Sequence, residues 1–308
     1  MIKEIEHEAE IQNKRTVKRQ SKARFLSDRI ARYLVFIDGM VSFLILLAIA
    51  VFTAQEGLPL FSQVNIMSFL FSTEWRPTQG EFGILPMIIG SIYVTLLALF
   101  IAVPLGVACA IFLSEVAPLA VQRYFRPLVQ LLVGIPSVVY GLVGMVIIVP
   151  FIREFGGSGY SVLAAAIVLM AMILPTIISI SEDSLRAVPS AYKQGALALG
   201  ATHWQTIWHL LIPVARSGII SAVIRGMGRA VGETMAMIMV IGNSVVIPLS
   251  PLSSARTLTG NIAVEIQYAS GLHRNALFAT GIVLFVLIIV LNSLAMLVLK
   301  RGEVVVER

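Results

Sequence analysis

The sequence predicts an all-α integral membrane protein with six transmembrane helices and both termini in the cytoplasm. Of its 308 residues 57% are hydrophobic and 13% charged, with a mean hydropathy of +0.89, a balance that excludes an ordinary soluble domain. Six apolar stretches, near 33–54, 84–113, 127–150, 161–181, 217–242 and 276–299, are long enough to cross about 30 Å of hydrocarbon, which takes ~20 helical residues. Lys and Arg alternate by connection: nine fall in 1–32, two in 114–127, three in 182–216 and three from Lys300 onward, against one, one and two in 55–83, 151–160 and 243–275. That is the positive-inside pattern, and it explains the net charge of +6 without nucleic acid, since the basic residues are not interleaved with aromatics on a polar surface.

Residues 1–32 mix Glu4, Glu6, Glu8 and Glu10 with basic side chains and show no apolar period before FLSDRIARYL, so a cytoplasmic tail ending in a short interfacial helix is expected. The acidic lead and the length of the first apolar run favour a retained anchor over a cleaved signal. Segment 33–83 is then the first span with an outer loop, 84–300 a core membrane domain, and 301–308 a cytoplasmic tail. The second stretch contains Pro86 and Pro104, which imply a tilt or kink. In the third, GIPSVVYGLVG presents Gly134, Pro136, Ser137, Gly141 and Gly144, a small-residue face for close packing. Cys109, the single cysteine, reads as a small buried hydrophobe and excludes an internal disulfide.

The connection from Glu182 to Arg216 is too long for a passive turn and too apolar for a linker. YKQGALALGATHWQTIWHLLIPVARSGI has a helical period broken at Gly200 and again at Pro213. Two short helices meeting at a glycine turn are expected, a knob suited to docking a cytosolic partner. His203 and His209, beside Trp204 and Trp208, are expected to pack within it.

This stretch resembles the coupling loop of the ATP-binding-cassette importers: Glu-Ala-Ala, three residues, Gly, nine residues, Ile, one residue, Leu-Pro. Gln194, Gly195 and Ala196 stand at the first three places, Gly200 at the glycine, Leu210 at the isoleucine, and Ile212 with Pro213 at the Leu-Pro. Gln194 and Gly195 depart from the pattern and leave a polar group without charge. With WRPTQGEFGILPMIIGSIYVTLLA, GIPSVVYGLVG and GRAVGETMAMIMVIGN, the chain resembles the permease subunits of phosphate-specific importers, the PstC type more than the PstA type.

The resemblance implies a type I importer permease in the bacterial cytoplasmic (inner) membrane, serving ATP-driven import of inorganic phosphate. It implies a PstA-type second permease subunit, two copies of a cytosolic ATPase holding ATP and Mg, and an extracytoplasmic phosphate-binding protein. Contact with the ATPase falls to Tyr192, Gln194, Gly195, Ala196, Gly200, Leu210, Ile212 and Pro213. No Gly-Lys pair occurs, so no phosphate-cradling Walker loop does; neither enzyme activity nor a cofactor of its own is expected for this chain.

RGMGRAVGETMAM, residues 225 to 237, places three charges in an apolar span. Each costs roughly 2.5 to 3.5 kcal/mol at the centre of a membrane helix. On one continuous helix Arg225, Arg229 and Glu233 form a stripe at i, i+4, i+8, with Gly226, Gly228 and Gly232 between them. An Arg229–Glu233 ion pair is the structural reading. The functional reading lines a substrate pathway with Arg225 and Arg229, whose guanidinium forks match phosphate; Glu233 holds Arg229, and Thr234 adds a hydroxyl unless it bonds its own backbone. These residues indicate an anion, and sulfate, molybdate or an organic anion satisfies them as well.

A channel or secondary carrier needs no coupling loop, and no inverted repeat is visible. GGSG at 156–159 fits a rhomboid-type serine protease motif, but His7, His203, His209 and His273 all lie outside the spans, and the glycines read as a turn.

Overall fold

The computed structural model describes residues 31–303, with side chains through 297. The tail and most of the interfacial helix expected over 1–32, with His7 and the last five residues, lie outside the described residues. The chain divides into two units, 1–55 and 56–308. In the first, the chain is helical from Ala31, and Phe36, Phe43 and Leu46 are exposed, as side chains facing hydrocarbon are. This helix, α1, is a candidate span over Ala31–Ser62, longer than the expected 33–54.

The second unit begins at Glu56 and, after a tight turn at Leu58–Ser62, holds a short helix α2 (Ile66–Phe71), capped by Asn65 Oδ1, which accepts from Met67 N at 2.8 Å. A hairpin follows, β1 (Trp75–Arg76) against β2 (Glu81–Phe82), with Trp75 opposite Phe82. Next comes α3 (Leu85–Val116). Pro86 falls in its first turn, where no N–H is needed, so only Pro104 is interior.

Along the buried face of α3, Gly90, Val94, Ala98, Ala102, Gly106 and Ala110 recur at every fourth place, all small but Val94. That stripe lets α6 (Val162–Arg186) approach until a Cβ added at Gly106 would lie 2.7 Å from Ile177 Cγ2. Between helices in lipid there is no hydrophobic drive, so close van der Waals contact of this kind holds the bundle together. Cys109, expected to be buried, is exposed: it stands one position off the stripe.

Two expected spans are corrected. The stretch 127–150 is not one straight helix, because α4 (Leu119–Val133) and α5 (Ser137–Arg153) meet at 97°. α4 stops at Gly134, and Pro136, with no N–H to bond back, becomes the N-cap of α5. Tyr140 Oη closes the corner by donating to Leu132 O at 2.9 Å. The small-residue face therefore splits in two: Gly134 and Pro136 make the corner, while Gly141 and Gly144 allow packing. A Cβ at Gly141 would stand 2.8 Å from Ala236 Cα, and one at Gly144 would run into Val168. The described residues hold five candidate spans, or six with the bent pair counted as one.

The stretch 182–242 also differs. After α7 (Ser190–Ala198), α8 (His203–Val231) begins inside the expected loop and continues past Pro213, so the knob has one free-standing short helix rather than two. Pro213 is accommodated because Ile207–Leu211 is a widened turn, in which Ile212 N reaches back five residues to Ile207 O. The extra residue relieves the clash a proline ring makes with the preceding turn. The same device precedes Pro150, at Gly144–Ile148, and closes α3 at Phe112–Val116, just before Pro118. Past α8 the chain breaks, forms α9 (Met235–Val240), turns at Gly242 and Asn243 with φ of 92° and 55°, and continues through α10 (Leu258–Glu265) into α11 (Gly271–Glu303).

Candidate functional site

Three arginines, Arg216, Arg225 and Arg229, lie along α8. Among the described residues neither Arg225 nor Arg229 has an ion pair or hydrogen bond, and Arg216 buries Nη2 with no acceptor. Arg225 and Arg229 share a face beside buried Gly226 and Ala230, and a Cβ at Gly226 would come within 3.2 Å of Ile177 on α6. Arg225 is exposed and Arg229 half-buried.

The third member of the expected stripe is displaced. α8 ends at Val231 with Gly232 as its C-cap, so Glu233 and Thr234 lie in the break. No ion pair joins Arg229 to Glu233 among the described residues, which corrects the structural reading and the holding role given to Glu233. Glu233 instead caps α9: a carboxylate oxygen accepts from Ala236 N at 3.2 Å, while the Glu233 carbonyl accepts from Thr259 Oγ1 at 2.9 Å. The first N–H groups of a helix have no partner of their own, so a carboxylate is stabilised there by hydrogen bonding and by the dipole. Thr234 Oγ1 donates to Gly232 O at 3.3 Å, a bond to its own backbone.

The segment expected to couple to an ATPase turns at Gly200, whose φ of 87° an L side chain rarely adopts. Ala201 N donates to Ala196 O at 3.1 Å and Gly200 N to Leu197 O at 3.0 Å, the paired bonds that end a helix on a left-handed glycine. Thr202 and Gln205 then start α8 with a reciprocal capping box, Gln205 N to Thr202 Oγ1 at 3.3 Å and Thr202 N to Gln205 Oε1 at 2.8 Å. Gln194, Gly195 and Pro213 are exposed, whereas Leu210 and Ile212 pack against buried Leu185, Ile207 and Leu211. Tyr192, Leu199, Trp204 and Trp208 present apolar surface around the turn, Leu199 at 92% exposure.

Two polar networks escaped the sequence reading. On the coupling-segment side, Glu182, almost fully buried, accepts from Arg126 of α4 at 2.6 Å and Arg186 at 3.2 Å, and Arg186 Nη2 also reaches Gln122 Oε1 at 2.7 Å. On the hairpin side, Glu265 accepts from Trp75 Nε1 at 2.9 Å, Arg256 Nη1 at 2.5 Å and His273 Nε2 at 2.8 Å. Arg256 further donates to Asn243 O and Asn261 Oδ1, both at 2.9 Å. Trp75 and Glu265 are 190 positions apart, and no local pattern links them.

Ser158 Oγ donates to Tyr160 O at 3.4 Å in a turn where Gly156, Gly157 and Gly159 all have positive φ. His203 lies 3.3 Å from Glu115 O and His209 3.2 Å from Gln205 O, so with His273 on Glu265 each described histidine is engaged away from Ser158.

A family model described as "Binding-protein-dependent transport system inner membrane component" matches residues 102–302. The chain is 43% identical over 272 residues, 86% of this chain and 88% of the other, to the probable ABC transporter permease protein YqgH of Bacillus subtilis (strain 168). It is 35% identical over 257 residues, 77% of this chain and 80% of the other, to the phosphate transport system permease protein PstC of Pasteurella multocida (strain Pm70). A bacterial alginate ABC transporter, solved in complex with an alginate pentasaccharide-bound periplasmic protein, superposes with a TM-score of 0.64 at 15% identity, covering 85% of this chain and 91% of that one. The inward-facing MetNI methionine ABC transporter gives 0.55 at 20% identity, over 69% and 93%. At those identities the solved structures bear on the fold alone.

Proposed function

The chain belongs to the inner membrane components of binding-protein-dependent transport systems, and on that premise we propose that it is a PstC-type permease subunit for ATP-driven import of inorganic phosphate. The observation that carries the anion is the pair Arg225 and Arg229: two guanidinium groups on one face of an apolar span, unpaired among the described residues. Ionisable groups inside spans mark pathways, and a guanidinium fork donates two hydrogen bonds at once to a phosphate edge. The break at 232–234 lies just beyond Arg229. Binding there is weak enough for release inward.

The coupling segment supports the rest of the reading. Its exposed Tyr192, Leu199, Trp204 and Trp208 suit a cytosolic ATPase, which supplies ATP hydrolysis and its Mg. Gln194, Gly195, Ala196 and Gly200 shape that contact, and Leu210, Ile212 and Pro213, inside α8, carry it toward the spans. A PstA-type subunit completes the pore, a phosphate-binding protein docks on the hairpin side, and the coupling segment faces the cytoplasm. ATP closes the ATPase pair, and the pore alternates between outward-facing and inward-facing states.

The test is uptake of labelled phosphate, with sulfate for comparison, by vesicles holding the assembled complex. Arg229→Gln is expected to lower phosphate uptake by about tenfold or more, the effect of one lost charged hydrogen-bond donor. Unchanged uptake removes Arg229 from the path, and wild-type uptake of sulfate but not phosphate replaces the cargo.

A further inference from the structure

The last turn of α3 is where the coupling segment is fastened to the spans. Phe112–Val116 is widened, Ala117 N bonding back to Phe112 O at 2.7 Å, and the carbonyls of Leu113 and Glu115 take side-chain partners instead. Arg186 Nη2 donates to Leu113 O at 3.3 Å, and His203 Nε2 lies 3.3 Å from Glu115 O. The Glu115 carboxylate, 8% exposed, receives Lys193 Nζ of α7 at 2.5 Å. Glu115 is thus held from both sides of the Gly200 turn, by α7 through Lys193 and by the start of α8 through His203.

α7 buries no side chain, and Lys193–Glu115 is its only side-chain hydrogen bond among the described residues. A push on α7 therefore has one polar contact through which to act. Only Ala117 and Pro118 separate the widened turn from α4, and α4 leads round the 97° corner into α5. We propose that Glu115 is the joint between the coupling segment and the spans, and that its pair with Lys193 positions the two so that ATP hydrolysis is converted into movement of α4 and α5. The proposal rests on the permease reading above. Glu115 and Lys193 touch neither nucleotide nor cargo; they act through the elements they connect.

The experiment uses proteoliposomes holding this chain, the second permease subunit, the ATPase and the binding protein. Phosphate moved per ATP hydrolysed is measured for wild type, Glu115→Gln, Lys193→Gln, Lys193→Arg and the reciprocal double variant Glu115→Lys with Lys193→Glu. Both Gln variants are expected to hydrolyse ATP while moving about fivefold less phosphate per ATP, or worse. Lys193→Arg is expected to keep the wild-type ratio, and the reciprocal exchange to recover most of it. Wild-type ratios in both Gln variants overturn the proposal. Should the Gln variants fail to assemble, the reciprocal exchange decides: recovery sustains the joint, and loss overturns it. A wild-type complex that hydrolyses ATP without moving phosphate refutes the cargo instead, and stimulation of hydrolysis by the binding protein then reads the joint in its place.

Discussion

Glu233 shows how one side chain is reassigned by its backbone. Read on a continuous helix it pairs with Arg229; in the structure α8 has already ended at Gly232, and the carboxylate turns to Ala236 N at 3.2 Å. Gln retains an acceptor oxygen for that N–H and Ala does not. Glu233→Ala is therefore expected to lower the stability of the purified complex by about 1 kcal/mol in thermal unfolding, with Glu233→Gln near wild type. If phosphate uptake falls in Glu233→Gln at unchanged melting temperature, the charge itself serves transport. Glu265 is the harsher case, because Gln there leaves Arg256 buried without its counter-ion. Glu265→Gln is expected to destabilise by about 3 kcal/mol or more, read by the same unfolding measurement. The identities of Arg225 and Arg229 were legible because charge in an apolar run stands out. The partners of Glu265 and Glu182 were not, since Trp75 and Arg126 reach them across 190 and 56 positions and only the fold brings them together.

At the scale of elements, glycine was read more reliably than proline. Gly200 was placed at a turn, and the structure gives it a φ of 87°. A β-branched residue there is strained by roughly 1 to 2 kcal/mol. Gly200→Val is expected to impair assembly with the ATPase, or coupling to it, while the protein remains inserted, as checked by co-purification and ATP hydrolysis. Gly144 answers to packing instead, and Gly144→Leu is expected to push α5 off Val168 and Val240 and destabilise by about 1 to 3 kcal/mol. From sequence Pro86, Pro104 and Pro213 read as kinks or breaks and Pro136 as part of a packing face. Pro136 instead breaks its stretch, while Pro213 lies inside α8 and Pro86 is absorbed in a first turn. What decides between them is the hydrogen bonding of the preceding turn, which hydropathy does not record.

For the molecule as a whole, span count and sidedness came from different signals. The number of apolar stretches follows from hydropathy and agrees with the five or six spans described. Orientation rests on the placement of Lys and Arg alone. In a Cys109→Ser background, Ser158→Cys is expected to react with a membrane-impermeant maleimide applied outside, and Leu199→Cys only after permeabilisation; the opposite pattern inverts the topology. The widened turn at Ile207–Leu211 bears on which length changes the chain tolerates. Those five residues do the work of a turn that ordinarily takes about four. Deleting any one of them restores ordinary pitch and leaves Trp204 close to its present bearing relative to Arg225 and Arg229. It also drives the Pro213 ring against the carbonyl behind it. A variant one residue shorter here is therefore viable only if it sheds the proline as well.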